Sequence, residues 1–278
     1  MILRRHRRTA LSILVVILVA IYSLGPLVWI GITSIKPAGT EFRIPLEYFP
    51  AEPTLESYRV VLSETFSIQT ALFNSVTVSF VAMVGSLLLS GFAAYVIARF
   101  RFRWRFAVIL LVQAAGMIPP IIVIAPTFIM LRAAGLVGTV WAIIVPNIAY
   151  GIPLATLLLT AYFTRIPLSI EEAAQLDGAG RVRVYWQIVL PISTPAMVSA
   201  GVLCFLGSWG EFMHAFTVSL GLPRLRTVPV AILSYTQAFE MQWSWVSAAT
   251  VISIVPVVVL AVFFQRGVVR GLTAGAVN

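Results

Sequence analysis

The chain has 278 residues, of which 60% are hydrophobic and 10% charged, and its 19 Lys and Arg against 10 Asp and Glu give a formal net charge of +9. That much apolar surface excludes a soluble globular protein of this length and points to an all-α integral membrane protein. A single cysteine, Cys204, excludes an intrachain disulfide, and its place in an apolar run fits a small packing residue.

Six apolar runs read as membrane spans, at about 11–34, 72–98, 106–131, 140–163, 195–219 and 246–265. They predict one transmembrane domain over residues 1–278 with no soluble appendage. The first run follows Arg4, Arg5, Arg7 and Arg8, as a signal peptide would. It is too long for a signal core, is interrupted by Tyr22, Pro26 and Trp29, and no small-residue cleavage site follows, so it reads as a retained anchor helix. Residues 37–69 form a Pro- and Glu-containing loop in which a short helix is predicted near 56–62. After the second span, Arg99–Arg105 alternates arginine with Phe100, Phe102 and Trp104. Such alternation can stack nucleic-acid bases. Between two spans it is an interfacial anchor, and no nucleic-acid partner is expected. Pro119, Pro120 and Pro126 interrupt the third span, and Pro146, Gly151 and Pro153 the fourth, so both are predicted to kink.

The polar break between the fourth and fifth spans is structured. Ser169 with Glu172 three residues on reads as a capping box, with Glu171 and Glu172 in the first helical turn. Gly178 and Gly180 can end that helix, and Arg181–Val189 can begin another before Pro191. In the fifth span Glu211 is the one carboxylate well inside an apolar run, with His214 at i+3 on the same face. A hydrogen bond to a polar solute, a contact between helices and a place in water near the span end are its three open roles. Asn147 and Gln113 are weaker pathway candidates. A second external loop, residues 221–245, follows.

Charge sets the orientation. With the N-terminus inside, Arg4, Arg5, Arg7, Arg8, Arg99, Arg101, Arg103, Arg105, Arg165, Arg181, Arg183, Arg266 and Arg270 face the cytoplasm. Lys36, Arg43, Arg59, Arg132, Arg224 and Arg226 face outward, so inside outnumbers outside about two to one, as the positive-inside rule requires. Both termini and the 164–191 loop are therefore expected in the cytoplasm.

Glu172-Ala173-Ala174, then Gly178, Ile188 and Leu190-Pro191 at unbroken spacing resemble the EAA loop of ABC importer permeases. Lys36-Pro37, Asn74-Ser75, Tyr95 with Ala98-Arg99, and the closing segment 264–277 are similar to carbohydrate-importer permeases of the maltose type, second subunit. The resemblance covers essentially the whole chain. It implies the ABC type I importer permease fold of six transmembrane helices with a cytoplasmic coupling helix. It also implies ATPase contacts from Glu171, Glu172, Ala173, Ala174, Asp177, Gly178, Ile188, Leu190 and Pro191, with a tail contact from Gly271, Thr273, Gly275 and Ala276. The implied partners are a second permease in a heterodimer, an ATPase dimer carrying ATP and Mg, an extracytoplasmic solute-binding protein, the bilayer of a bacterial cytoplasmic membrane and a sugar-like solute or polyol. Asn147, Trp209, Glu211 and His214 are the candidate pathway residues, although Trp209-Gly210-Glu211 departs from the family's usual Trp-Asn before the acid.

No catalysis is expected on this chain. Lys36 is the one lysine and no Walker A loop surrounds it; His6 and His214 lack metal-ligand spacing; Asp177 sits in the polar loop while His214 lies in a span directed outward. No cofactor or metal is assigned. The alternative reading is a secondary transporter or channel that runs without ATP, which would usually show more intramembrane charge.

Overall fold

The computed structural model describes residues 2–41, 43–45, 47–63, 68–236 and 242–276, with the backbone alone for 2–11 and 266–276. The described residues are helical, with no strand among them. Thirteen helices follow in order: α1 Ile2–Ser34, α2 Glu56–Val61, α3 Ile68–Arg99, α4 Arg105–Gly116, α5 Pro120–Ala133, α6 Trp141–Phe163, α7 Leu168–Leu176, α8 Arg181–Val184, α9 Leu190–Ile192, α10 Thr194–Trp209, α11 Met213–Ser219, α12 Val228–Ser234 and α13 Trp243–Ala276. A π-helical turn, Tyr185–Val189, joins α8 to α9.

Among the described residues four helices are long and apolar enough to cross a membrane, and the number rises to six if each of two bent pairs is one span. The third run is such a pair: α4 and α5 meet at 95° where Pro119 and Pro120 interrupt the backbone ladder. In the fourth, α6 is one continuous helix through Pro146 and Pro153. The fifth run is divided. α10 spans 16 residues and stops at Gly210, and α11 restarts at Met213. The α8–α9 segment meets α10 at 79°, so the second helix of the polar break extends through Pro191 to Ile192. The helix near 56–62 is present as α2.

The chain divides into two compact units. The first comprises residues 1–68 and 231–255, the second 69–230 and 256–278. In the first, Lys36 is buried, donates from Nζ to the Glu47 carbonyl at 2.6 Å, and lies 4.9 Å from the Trp29 ring. Glu41 is also buried, and its carboxylate accepts the Ser244 N–H at 2.9 Å, placing an anion at the start of α13.

In the second unit, small residues bring helices together. Ser86 and Ser90, one turn apart on α3, donate to the Ile148 and Ile152 carbonyls of α6 at 3.0 and 3.1 Å. A Cβ on Gly151 would strike the Ser86 hydroxyl and lie 3.3 Å from the Cys204 sulfur, so α3, α6 and α10 converge where only glycine fits. Asn74 donates to the Arg224 and Arg226 carbonyls, and the Ser75 hydroxyl accepts the Val228 N–H, tying the segment before α12 to α3. One apolar core runs from Ala94 and Tyr95 through Leu159 and Phe163 to Val184, Val189 and Ala200; another joins Val78, Ile143, Ile144, Ala215 and Val218.

Candidate functional site

The polar loop after α6 is a folded element with two faces. Pro167, with φ −57° and ψ 131°, is the N-cap of α7, and no side chain caps it. Ser169 is therefore already inside the helix and the expected capping box does not form. The hydroxyl sits too far into the first turn to reach back across it. Glu171 is the acid of that turn. The other end is firmly closed. Gly178 has φ +86°, its N–H donates to the Gln175 carbonyl at 3.0 Å, and the Ala179 N–H reaches back to the Ala174 carbonyl at 2.9 Å. This is a Schellman cap, and the left-handed residue it needs is glycine. A Cβ there would meet nothing within 4 Å, so backbone conformation, not space, selects glycine.

The inner face of the loop is bonded to α3. Glu171 is 3% exposed; its Oε1 accepts from Arg99 Nε at 2.6 Å and its Oε2 from the Tyr95 hydroxyl at 2.9 Å. Arg99 also donates from Nη2 to the Ile166 carbonyl at 3.0 Å. Ala174, Ala179, Ile188 and Leu190 pack against the core that holds Val184, Tyr185 and Val189. The outer face is bare: Glu172, Ala173, Gln175, Asp177 and Gly178 are exposed, Leu176 is 90% exposed and Val182 70%. Arg181 and Arg183 are exposed beside them, and Pro191 closes the segment at the surface. Leu176 thus stands out from an ordered helix among charges of both signs.

The second feature is a cavity of about 440 Å³ between α6 and α10. Asn147, Tyr150, Gly151 and Leu154 line it from α6; Ser208, Gly210, Glu211, Phe212 and Met213 line it where α10 breaks. Asn147 is buried and donates to the Ile143 carbonyl of its own helix at 2.8 Å. Glu211 turns its carboxylate to the start of α11. Its carboxylate accepts the backbone N–H groups of His214 and Ala215 at 2.7 and 3.1 Å, and lies 3.4 Å from His214 Nδ1. It satisfies the first donors of α11, which is how a chain can break at membrane depth without leaving bare amides.

Of the four candidate pathway residues, Asn147 and Glu211 line the cavity. Trp209 is 9% exposed and stacks on Phe205, and His214 is buried beside Tyr150 with ring centroids 5.5 Å apart, so both stand behind the wall. Gln113 bonds the Pro153 carbonyl at 3.0 Å, a helix-to-helix contact. Gly271, Thr273, Gly275 and Ala276 lie outside the residues whose side chains are described. Sequence reasoning missed Tyr150 and Ser208, whose hydroxyls are buried with no hydrogen-bond partner. The signal was available for Tyr150: Asn147, Tyr150, Gly151 and Leu154 follow the i, i+3, i+4, i+7 spacing of one helix face. Among the described residues, no group of three His, Cys, Asp or Glu side chains could hold a metal.

Long apolar helices, a cavity at a helix break and a folded polar loop with an exposed face fit the membrane-spanning component of a transporter. The chain belongs to the family of binding-protein-dependent transport system inner membrane components, which matches residues 86–274. It is 36% identical to the sulfoquinovosyl glycerol transport system permease protein SmoH of Agrobacterium fabrum, over 92% of this chain and 89% of that one. It is 35% identical to the trehalose/maltose transport system permease protein MalG of Thermococcus litoralis, over 96% of each. Its fold matches a chain of a bacterial ABC transporter involved in the import of the acidic polysaccharide alginate, with a TM-score of 0.77 over 94% of this chain and 96% of that one at 22% identity. The chain is thus a transport subunit of the inner membrane, not an enzyme in its own right.

Proposed function

We propose that this permease forms half of the pathway through which an ATP-driven ABC importer moves a sugar or related polyol. A second permease completes the pathway, an extracytoplasmic binding protein delivers the solute, and a separate ATPase dimer holds ATP and Mg. The bare outer face of the 164–191 loop carries this reading. Glu172, Ala173, Leu176 and Asp177 stand exposed on a helix whose other side is bonded to α3. An ATPase docked there would move α7 as a lever, with Ile188, Leu190 and Pro191 passing the motion to α10. The arginine distribution supports cytoplasmic termini, which puts the loop where ATP is. Support for the cargo comes from the similarity to SmoH and MalG, whose named solutes are glycosides.

A gentle-detergent pull-down of the tagged chain from its native membrane tests this. A Walker A ATPase and a second permease should copurify, and Glu172→Lys or Gly178→Pro should lose the ATPase while the chain stays in the membrane. A chain that recovers no ATPase yet moves solute in liposomes would be a secondary transporter.

A further inference from the structure

Glu171 belongs to the same loop but does not face the partner. Its side chain is 4% exposed and that of Arg99 7%. Stability alone does not explain such a pair, because well-packed apolar residues often serve a protein interior as well as a buried ion pair does. What the pair adds is a fixed register between two elements. Arg99 grips α7 on both sides of Pro167, through Glu171 Oε1 at 2.6 Å and the Ile166 carbonyl at 3.0 Å. Tyr95, one turn back on α3, holds the second carboxylate oxygen at 2.9 Å.

The same helix end holds the second half of the loop. Tyr185 packs on Phe92 and Tyr95 with ring centroids 4.9 and 5.1 Å apart, and the Arg181 guanidinium lies 4.7 Å from the centre of the Phe100 ring. Farther along α3, Ser86 and Ser90 grip α6 at Ile148 and Ile152, amid the cavity-lining Asn147, Tyr150, Gly151 and Leu154. α3 therefore connects the loop, held at its C-terminal end, to the cavity wall, held at its middle, through polar contacts.

We infer that Tyr95, Arg99 and Glu171 form a latch that transmits movement of the 164–191 loop through α3 to the cavity. Glu171 is a positioning residue of this latch, whereas Glu172 and Leu176 belong to the docking face. The inference rests on the proposed docking of this loop on an ATPase. Breaking the latch should leave the ATPase bound and hydrolysing while the cavity stops responding.

The test uses the assembled importer in proteoliposomes. Gly207 lines the cavity and a Cβ there meets nothing within 4 Å, so Gly207→Cys places a thiol at the wall without a clash. Cys204→Ser removes the one native thiol of this chain. Labelling of this chain at position 207 by a biotin maleimide is compared with and without ATP–Mg and vanadate, beside ATP hydrolysis. Without further change, nucleotide should alter the labelling rate severalfold. Glu171→Gln, which keeps the side-chain shape, should keep most ATP hydrolysis and reduce that response at least fivefold. An unchanged response per assembled complex would overturn the latch, and loss of the ATPase from Glu171→Gln would overturn it too by making Glu171 a docking contact. If Glu171→Gln does not reach the membrane, Tyr95→Phe carries the test: it deletes one bond and keeps the ion pair, and a full response would sink the idea. Absence of an ATPase even from the chain with native Glu171 would instead refute the docking reading itself.

Discussion

Gly178 shows how one backbone angle can close a helix. Its φ of +86° lies where side chains with a Cβ are strained by about 1–2 kcal/mol, asparagine less than most. Because the space around it is open, substitutions should be ranked by backbone preference and not by size. Gly178→Asn should retain most of the copurifying ATPase and Gly178→Val should lose a large part. Gly178→Pro should lose nearly all, since its φ cannot reach +86° and it deletes the N–H bonded to Gln175. Recovery of the ATPase in pull-downs of the three variants checks the order. The glycine was visible in the spaced motif, but its left-handed angle was not, because a turn glycine and a close-packing glycine look alike in one sequence.

At the scale of elements, proline was an uneven guide. Pro119-Pro120 splits the third span at 95°, while Pro146 and Pro153 sit inside a continuous α6. Proline removes a donor and crowds the preceding turn wherever it stands; whether the helix survives depends on neighbours that are distant in sequence. Around α6 those neighbours are Ser86, Ser90 and Gln113, which bond its carbonyls from other helices. Apolar run lengths located the long helices well, because hydrophobicity accumulates over some twenty residues. The break at Gly210–Phe212 was hidden, because it rests on one carboxylate turning to cap α11. The convergence at Gly151 gives an element-scale prediction. Gly151→Val should cut the yield of assembled complex more than tenfold, as its side chain must displace Ser86 and Cys204. Gly207→Val, with open space before it, should assemble near normal levels; size-exclusion profiles of the two solubilised complexes measure this.

For the whole molecule, the proposed orientation rests on the distribution of arginine along the chain. Arg101, Arg103 and Arg105 lie between α3 and the body of α4, and Phe102 and Trp104 among them are exposed, as expected of a cationic anchor at a membrane surface. A green fluorescent protein fused after Asn278 should fluoresce in cells, since it matures on the cytoplasmic side; a dark but membrane-inserted fusion would reverse the topology. The outer face of the loop was legible before any fold was known, through Glu172, Ala173 and Gly178. The latch was only half legible: Tyr95 and Arg99 stood in one motif and Glu171 in another, and nothing local to either shows that 72 residues of separation close into a 2.6 Å contact.

Lys36 has a practical consequence for chemistry done on the assembled transporter. It is the sole lysine of the chain, and its ammonium is buried 2.6 Å from the Glu47 carbonyl and beside the Trp29 ring. Apart from its α-amino group, the folded subunit therefore offers succinimidyl dyes and cross-linkers almost no nucleophile. Amine acylation of an intact complex would colour any partner with accessible lysines and leave this subunit nearly blank. The appearance of acyl-Lys36 in peptide maps would report that the packing around Trp29 has opened.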